Sequence, residues 1–472
     1  MRVRQFVDEG LGNSAHLLIS DRDGVAALID PLRDVDQYQH VARCEGVRIS
    51  HVLETHIHND FLSGGRELAA LTGARIVASA DAGLEFEHQP VRDGDVLALG
   101  DVSIAVLATP GHTPEHVSYL ARDTNRPDEP PVLFSGGSLL VGAVSRTDLL
   151  GHDHATGLAR QLYYTLHDRI LPLGDDVIVY PTHGAGSFCT AAAAAESTTT
   201  IGRERRSNPF LALRDPEAFT DRLLASMPSY PTYFDRMRAV NRRGPRVIGE
   251  VPRLAPLTPT DVQARHQRGE AVVDTRSVAD YARGHILGVY HVELRPAFAS
   301  WVGWVVPFGT PVILISDTTE VHEYAVRQLI RIGYDDLPGY LDGGMPTWER
   351  AGLPVERSTV LTMRELRQRL DHGEPLLVVD VRQPHEWAAG RISQAELIEA
   401  GALPEVDLQH LPHDRFIATH CGHGQRAATG LSVLEQRGYR NLAVITEGID
   451  DWRKAGGQVR QGPLSDRQAA HA

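Results

Sequence analysis

Two clusters in this sequence have the residue types and spacing that chemistry needs. The first is Thr55-His56-Ile57-His58-Asn59-Asp60, directly after the apolar run HVLE, joined by His112 in TPGHTPEH and His183 in YPTHGAGS. Imidazoles and carboxylates at strand-to-loop junctions suit a first-row metal, and two histidines two residues apart can face one cleft if the chain turns there. The second cluster is His420-Cys421-Gly422-His423-Gly424-Gln425-Arg426, between the strand-like RFIAT and the helical RAATGLSVLEQRG. Successive backbone N–H groups of a tight Gly-containing loop, with the positive end of a helix dipole, stabilise an anion. Such a loop favours a nucleophilic thiolate and then holds a negatively charged persulfide. Arg426 adds a fixed positive charge for a sulfonate or a carboxylate. Gly422, His423, Gly424 and Gln425 complete the cradle, with the His423 ring expected to face solvent.

The elements that must position these residues follow from the apolar pattern. AHLLI, VAALID, HVLETH, RIVASA, VSIAVLATP, PVLFSGG and DVIVYPTHG read as strands, each bounded by Gly, Pro or Asp. RELAALTG and TGLARQLYYTLHDRILPLG read as helices, and the Arg- and Pro-rich stretch 241–259 reads as a linker. Beyond it lies an internal repeat. LTPTDVQARHQRGEAVVDTRSVADYARGHI is matched by LTMRELRQRLDHGEPLLVVDVRQPHEWAAGRI, so Asp274–Arg276 pairs with Asp380–Arg382 and, farther on, Trp348 with Trp452. Strands alternating with helices in each copy predict a parallel sheet with helices on both faces. Aligning Gly333-Tyr334 with Gly438-Tyr439 puts Ser316 opposite Cys421, Asp317 opposite Gly422 and Val321 opposite Arg426. The first copy therefore lacks the nucleophile, the glycine and the arginine, and is expected to be non-catalytic.

The 472 residues predict about three domains. A net charge of −14 argues against nucleic acid as the main partner. No run of about 18 apolar residues predicts a membrane span, and the opening MRVRQFVDEG lacks the apolar segment of a secretory signal. Three cysteines do not make a disulfide framework, so a reducing, cytoplasmic setting is expected. Cys44 and Cys189 read as buried small hydrophobes.

The N-terminal motifs resemble the metallo-β-lactamase superfamily, whose hallmark is T-H-x-H-x-D-H. TGARIVAS, TPGHTPEHVSYL, SGGSLLVGAVSRTDLLG and YPTHGAGSFC resemble its persulfide dioxygenase and glyoxalase II branch. The resemblance implies a β-sandwich flanked by helices, with the metal at one edge of the sheets. It places Arg146 in a loop around the active site, where it either meets substrate or forms a structural salt bridge. Two positions depart from the pattern: Phe61 stands for the histidine after the Asp, and Gly137 for the bridging Asp of F-x-G-D-x-L. The mononuclear iron of persulfide dioxygenases would rest on His56, His112 and that missing Asp, and a binuclear zinc site would need both lost residues. Three readings stay open: a mononuclear site of His56, His58 and His112; one that recruits Asp60 and His183; or a scaffold without metal.

The C-terminal loop, with DVR and EGxxxW around it, resembles the rhodanese active site. Its C-x4-R length is that of sulfurtransferases rather than of the related phosphatases, whose loop is one residue longer.

The expected architecture is α/β: an αββα metallo-β-lactamase fold over 1–240, then rhodanese-like doubly wound parallel-sheet domains over 256–356 and 359–462. The expected function is persulfide metabolism, with Cys421 passing sulfane sulfur from thiosulfate or a persulfide to thiols such as glutathione. It is joined to a persulfide dioxygenase-like domain using Fe(II), with Zn the alternative metal. The rival expectations are a glyoxalase II-like thioester hydrolase and a non-catalytic sulfur carrier. A homo-oligomer would fit what similar proteins do.

Overall fold

The computed structural model describes residues 1–190 and 196–462. They divide into two compact units, Met1–Val251 with Ile330–Gly333, and the remainder from Pro252 onward.

In the first unit two six-stranded sheets face one another. One runs β1 (Arg2–Asp8), β2 (Asn13–Ser20), β3 (Val25–Ile29), β4 (Arg48–Leu53), β5 (Arg75–Ser79), β6 (Gln89–Val91) in spatial order. The other holds β7 (Val96–Leu99), β8 (Val102–Ala108), β9 (Val117–Asp123), β10 (Val132–Gly136), β11 (Ile178–Pro181) and β12 (Thr199–Thr200). Alternation builds the interface between them. Val102, Ile104 and Val106 of β8 point inward to meet Leu18, Ile29, Leu53 and Val77 of the opposite sheet. Each such side chain, fully buried, contributes about 1.5–3 kcal/mol of transfer free energy. The outer face of the second sheet, through Leu120, Leu133 and Val179, is covered by the helices His152–Tyr164 and Pro216–Ala225. This is the αββα sandwich expected from the sequence.

The second unit holds the two repeats as two five-stranded sheets. The first has the order β13 (Pro256–Leu257), β17 (Gly339–Leu341), β16 (Val312–Ile315), β14 (Ala271–Asp274), β15 (Tyr290–His291). The second has β18 (Thr359–Leu361), β23 (Leu442–Ile445), β22 (Phe416–His420), β19 (Leu376–Asp380), β21 (Glu396–Leu397), and β20 (Arg391–Ile392) pairs separately with β24 (Val459–Arg460). Every pair within the five-stranded sheets is parallel, as alternating strands and helices require.

The repeat is reproduced bond for bond. Arg276 Nη2 donates to Asp274 Oδ2 at 2.6 Å and to the Gly284 carbonyl at 2.7 Å. Arg382 does the same with Asp380 and Gly390, at 2.6 and 2.7 Å. Trp348 and Trp452 each donate an indole N–H to a carbonyl six residues on. Residues 244–255, within the expected linker, carry neither helix nor strand. Among the described residues no helix is long and apolar enough to cross a membrane.

Candidate functional site

In the first unit the ends of β3, β4, β8, β10 and β11 lie at one edge of the sandwich, and each delivers polar residues there. Asp30, just past β3, is the residue that ties the sheets together. It accepts hydrogen bonds from Thr55 N (2.8 Å) and Thr55 Oγ1 (2.7 Å) after β4, and from Thr182 Oγ1 (2.5 Å) after β11. Among the described residues it is the one non-glycine with positive φ, 48°, a conformation Asp tolerates better than most side chains.

Three histidines converge above it. The rings of His56 and His112 are 4.7 Å apart, His56 and His183 5.3 Å, and His112 and His183 5.2 Å. Each has its Nδ1 occupied: His56 by Thr55 Oγ1 at 2.8 Å, His112 by the Arg146 carbonyl at 2.8 Å, His183 by Asn13 Oδ1 at 2.9 Å. Thr55 spends its own hydrogen on Asp30, so its oxygen accepts from His56. Anchoring Nδ1–H in this way leaves the Nε2 lone pairs as ligands, the usual outer-shell arrangement of a metal-binding histidine. Burial carries the His56 imidazole well below the ordinary range and that of His112 down to about 3. His56 Nε2 and His183 Nε2 are 3.4 Å apart. Two nitrogens each about 2.1 Å from one tetrahedral ion are separated by about that distance. That pair fits a single first-row metal ion, and His183 belongs to two compact donor groups, one with His56 and His58 and one with His112 and Cys189.

His58 is held differently. Its Nε2 is 3.3 Å from Asp30 Oδ1 and 3.6 Å from Glu54 Oε2. Burial would lower this imidazole, but the two carboxylates outweigh it and push it up to about 10. Phe61 stacks on its ring at 4.1 Å. His58 nonetheless lies within donor range of His56 and His183. Asp60 Oδ2 is 3.3 Å from His183 Nδ1, and the carboxylate is buried. Cys189, fully buried, brings its sulfur within 4.8 Å of donor atoms of His112 and His183. Cys44 is exposed, contrary to expectation, because it ends a surface helix, Asp36–Cys44.

The Arg146 guanidinium is already spoken for. It pairs with Asp148 (2.7 Å), donates to the Phe188 (2.8 Å) and Pro228 (2.9 Å) carbonyls, and stacks over Tyr230. What it offers the site is its carbonyl, which orients His112. Asp30 and His116 escape the motif reading. His116 Nε2 accepts from Gly137 N at 2.9 Å, and its ring stacks on His56 at 5.1 Å. The second histidine of TPGHTPEH was the available signal.

In the second repeat, Cys421 follows β22 and precedes the helix Gln425–Gln436. Gly424 caps that helix at φ +94°, and its N–H points at Cys421 Sγ, 3.2 Å away. A side chain at Gly424 would also press on Thr446 at 3.1 Å. His423 is exposed, and Gly422, Gln425 and Arg426 are half-buried. Arg426 is not a free cation: its guanidinium forks onto both oxygens of Glu386, at 2.5 and 2.9 Å. In the first repeat Ser316 occupies the place after β16 that Cys421 takes after β22. Its hydroxyl is engaged by His322 Nε2 at 2.5 Å and by the Thr318 carbonyl at 3.1 Å.

Comparison with known proteins agrees with this division. Residues 9–183 match the Metallo-beta-lactamase superfamily, and residues 258–351 and 362–455 each match the Rhodanese-like domain. A hydroxyacylglutathione hydrolase of Polaromonas sp. is 31% identical over 49% of this chain and 95% of its own. The mitochondrial persulfide dioxygenase of Homo sapiens is 30% identical over 42% of this chain and 70% of its own. A metallo-beta-lactamase crystal structure from Staphylococcus aureus superposes with a TM-score of 0.66 at 32% identity. That match covers 72% of this chain and 98% of the other.

Proposed function

The chain belongs to the metallo-beta-lactamase superfamily and carries two rhodanese-like domains, and from that premise we propose an enzyme of sulfane-sulfur metabolism with two centres. Cys421 accepts a sulfur atom from a small donor and passes it to a thiol. The N-terminal site oxidises a persulfide. The observation that carries the transfer reading is the Cys421 loop, where thiol, inward N–H and helix N-terminus meet at one point.

For the N-terminal centre, His56, His112 and His183, whose rings converge, would hold the metal, with Asp60 and Cys189 beside His183. Iron(II) bound there would supply the redox chemistry for oxidising a persulfide with dioxygen. The chain's own residues do the rest. Thr55, the Arg146 carbonyl and Asn13 fix the three rings, and a cleft lined by Ile57, Ile76, Leu84 and Phe86 leads apolar surface up to His56 and His58. The human relative named a persulfide dioxygenase supports this reading.

The hydrolase relative favours a second reading, thioester hydrolysis. A two-metal hydrolytic site needs a bridging carboxylate where this chain has Gly137, and a Cβ there would lie 2.4 Å from the His112 ring. The family's mononuclear iron lacks the same Asp here, so what favours a single ion is Phe61, which stands where the binuclear site alone needs a histidine. Oxygen uptake by the iron-loaded protein given glutathione persulfide tests the choice, with His112→Ala as control. We expect uptake that the control loses. Turnover of S-lactoylglutathione by the metal-loaded protein, without oxygen uptake, would replace this reading by hydrolysis.

A further inference from the structure

We infer that Glu386 is a charge filter on the Cys421 loop: by holding Arg426 it disfavours dianionic donors such as thiosulfate and reserves the thiol for organic persulfides. The inference rests on the sulfur-transfer reading of Cys421 and names the donor class of that site.

Glu386 lies in the helix Pro384–Ala389, which follows β19, and Cys421 lies in the loop after the neighbouring strand, β22. The parallel register that sets Asp380 beside His420 brings both segments to the same end of the sheet. They meet in a fork: Arg426 Nη1 is 2.5 Å from Glu386 Oε2, and Nη2 is 2.9 Å from Oε1. The guanidinium is at the loop itself, since a Cβ on Gly422 would lie 3.9 Å from Arg426 Nη2. Burial raises the Glu386 carboxyl, but Arg426 outweighs it and holds the group below the usual carboxylate range, so it is charged at neutral pH. Solvent reaches the fork: the Arg426 and Glu386 side chains are 20% and 26% exposed.

The first repeat separates this filter from helix capping. Glu386 is the third residue of its helix and accepts from Gln383 N at 3.1 Å. Its counterpart Asp280 is the third residue of Val278–Arg283, where it accepts from the Ser277 hydroxyl at 2.6 Å and pairs with Arg283 at 2.5 Å. Val321 stands there in place of the arginine, so that carboxylate has no loop guanidinium to hold. A carboxylate in the first turn of this helix is common to both copies. The fork belongs to the copy with the thiol.

Donors differ in what they bring to the fork. With thiosulfate, the Cys421 thiolate attacks the sulfane sulfur, the S–S bond breaks, and sulfite leaves with the electron pair. Cys421 is left as a persulfide anion. The sulfonate must displace Glu386 from Arg426 and then sit beside its carboxylate. A partly exposed ion pair is weak enough to yield, so thiosulfate still loads the thiol, at higher concentration. An organic persulfide, R–S–SH, has no oxyanion beside its reacting sulfurs. The thiolate attacks the outer sulfur, the S–S bond breaks, and the thiolate R–S⁻ leaves and takes up the persulfide proton. That step leaves the fork intact. Selectivity of this kind is set by a repulsive element against the wrong donor.

Single-turnover sulfur loading of the full chain, read by intact mass with the Cys421→Ser background subtracted, tests the filter. Thiosulfate and 2-hydroxyethyl persulfide are compared on wild type and on Glu386→Gln, which keeps a capping side chain and removes the charge. We expect the half-saturating concentration of thiosulfate to fall fivefold or more in the variant, with the maximal rate within threefold. Both values for 2-hydroxyethyl persulfide should stay within twofold. A smaller fall or a rise for thiosulfate overturns the proposal, and so does an equal fall for both donors. A wild type that loads from neither donor overturns the transfer reading instead. If Glu386→Gln does not fold, Glu386→Asp carries the same comparison, because its shorter carboxylate holds Arg426 less well. A fall of twofold or more for thiosulfate alone is then expected, and none overturns the proposal.

Discussion

Gly137 lies against the His112 ring, and its N–H is the donor that His116 accepts. Restoring the aspartate that the family pattern has there is therefore not a repair. A Cβ 2.4 Å from His112 Cδ2 must displace the ring from the Arg146 carbonyl that orients it. We expect Gly137→Asp to bind iron or zinc at least tenfold more weakly than wild type, since loss of such orienting contacts costs about 10–100-fold. Metal content after dialysis against a graded chelator checks this. Tighter binding by the variant would mean that the three-histidine set is not the one used. The residues that escaped motif reading share one physical cause. Asp30 and His116 act through partners at least 25 positions away in sequence or on another strand end. His112 and Cys421 lie inside local signatures, so spacing alone exposed them. Arg146 was legible as a residue near the site, but only the fold reveals that its guanidinium is occupied and its carbonyl is the working group.

At the scale of elements, the repeat was legible because it preserves interactions as well as letters. The Asp–Arg fork and the tryptophan hydrogen bond recur at matching places in both sheets. What the letters did not carry is the way β15 of one copy meets the Gln425–Gln436 helix of the other. His291 lies at that junction, fully buried, its Nε2 donating to the Arg276 carbonyl at 2.9 Å. Burial depresses this imidazole to about 4. It is neutral in the folded state and charges on unfolding near its ordinary 6.5, so its contribution is present above about pH 6.5 and lost as pH falls toward 4. The loss between pH 7 and pH 5 amounts to about 2 kcal/mol. Urea unfolding of wild type and His291→Gln at the two pH values isolates that part. The variant should lose about 2 kcal/mol less than wild type over the interval. Equal losses would mean that His291 is not held neutral.

At the scale of the whole molecule, one chain combines a histidine-rich edge of a sandwich with a thiol loop on a repeated parallel sheet. The sandwich and the two repeats were legible, because apolar period and turn residues fix strands and helices locally. The cysteine is the reactive end of the account, and its chemistry leaves a mark that does not depend on turnover. The most direct measurement is the intact mass of the full chain after incubation with thiosulfate, then with cyanide. We expect a gain of one sulfur atom, its removal by cyanide, and no gain in Cys421→Ser. A wild-type chain that gains no sulfur, or a Cys421→Ser chain that still gains one, would contradict it.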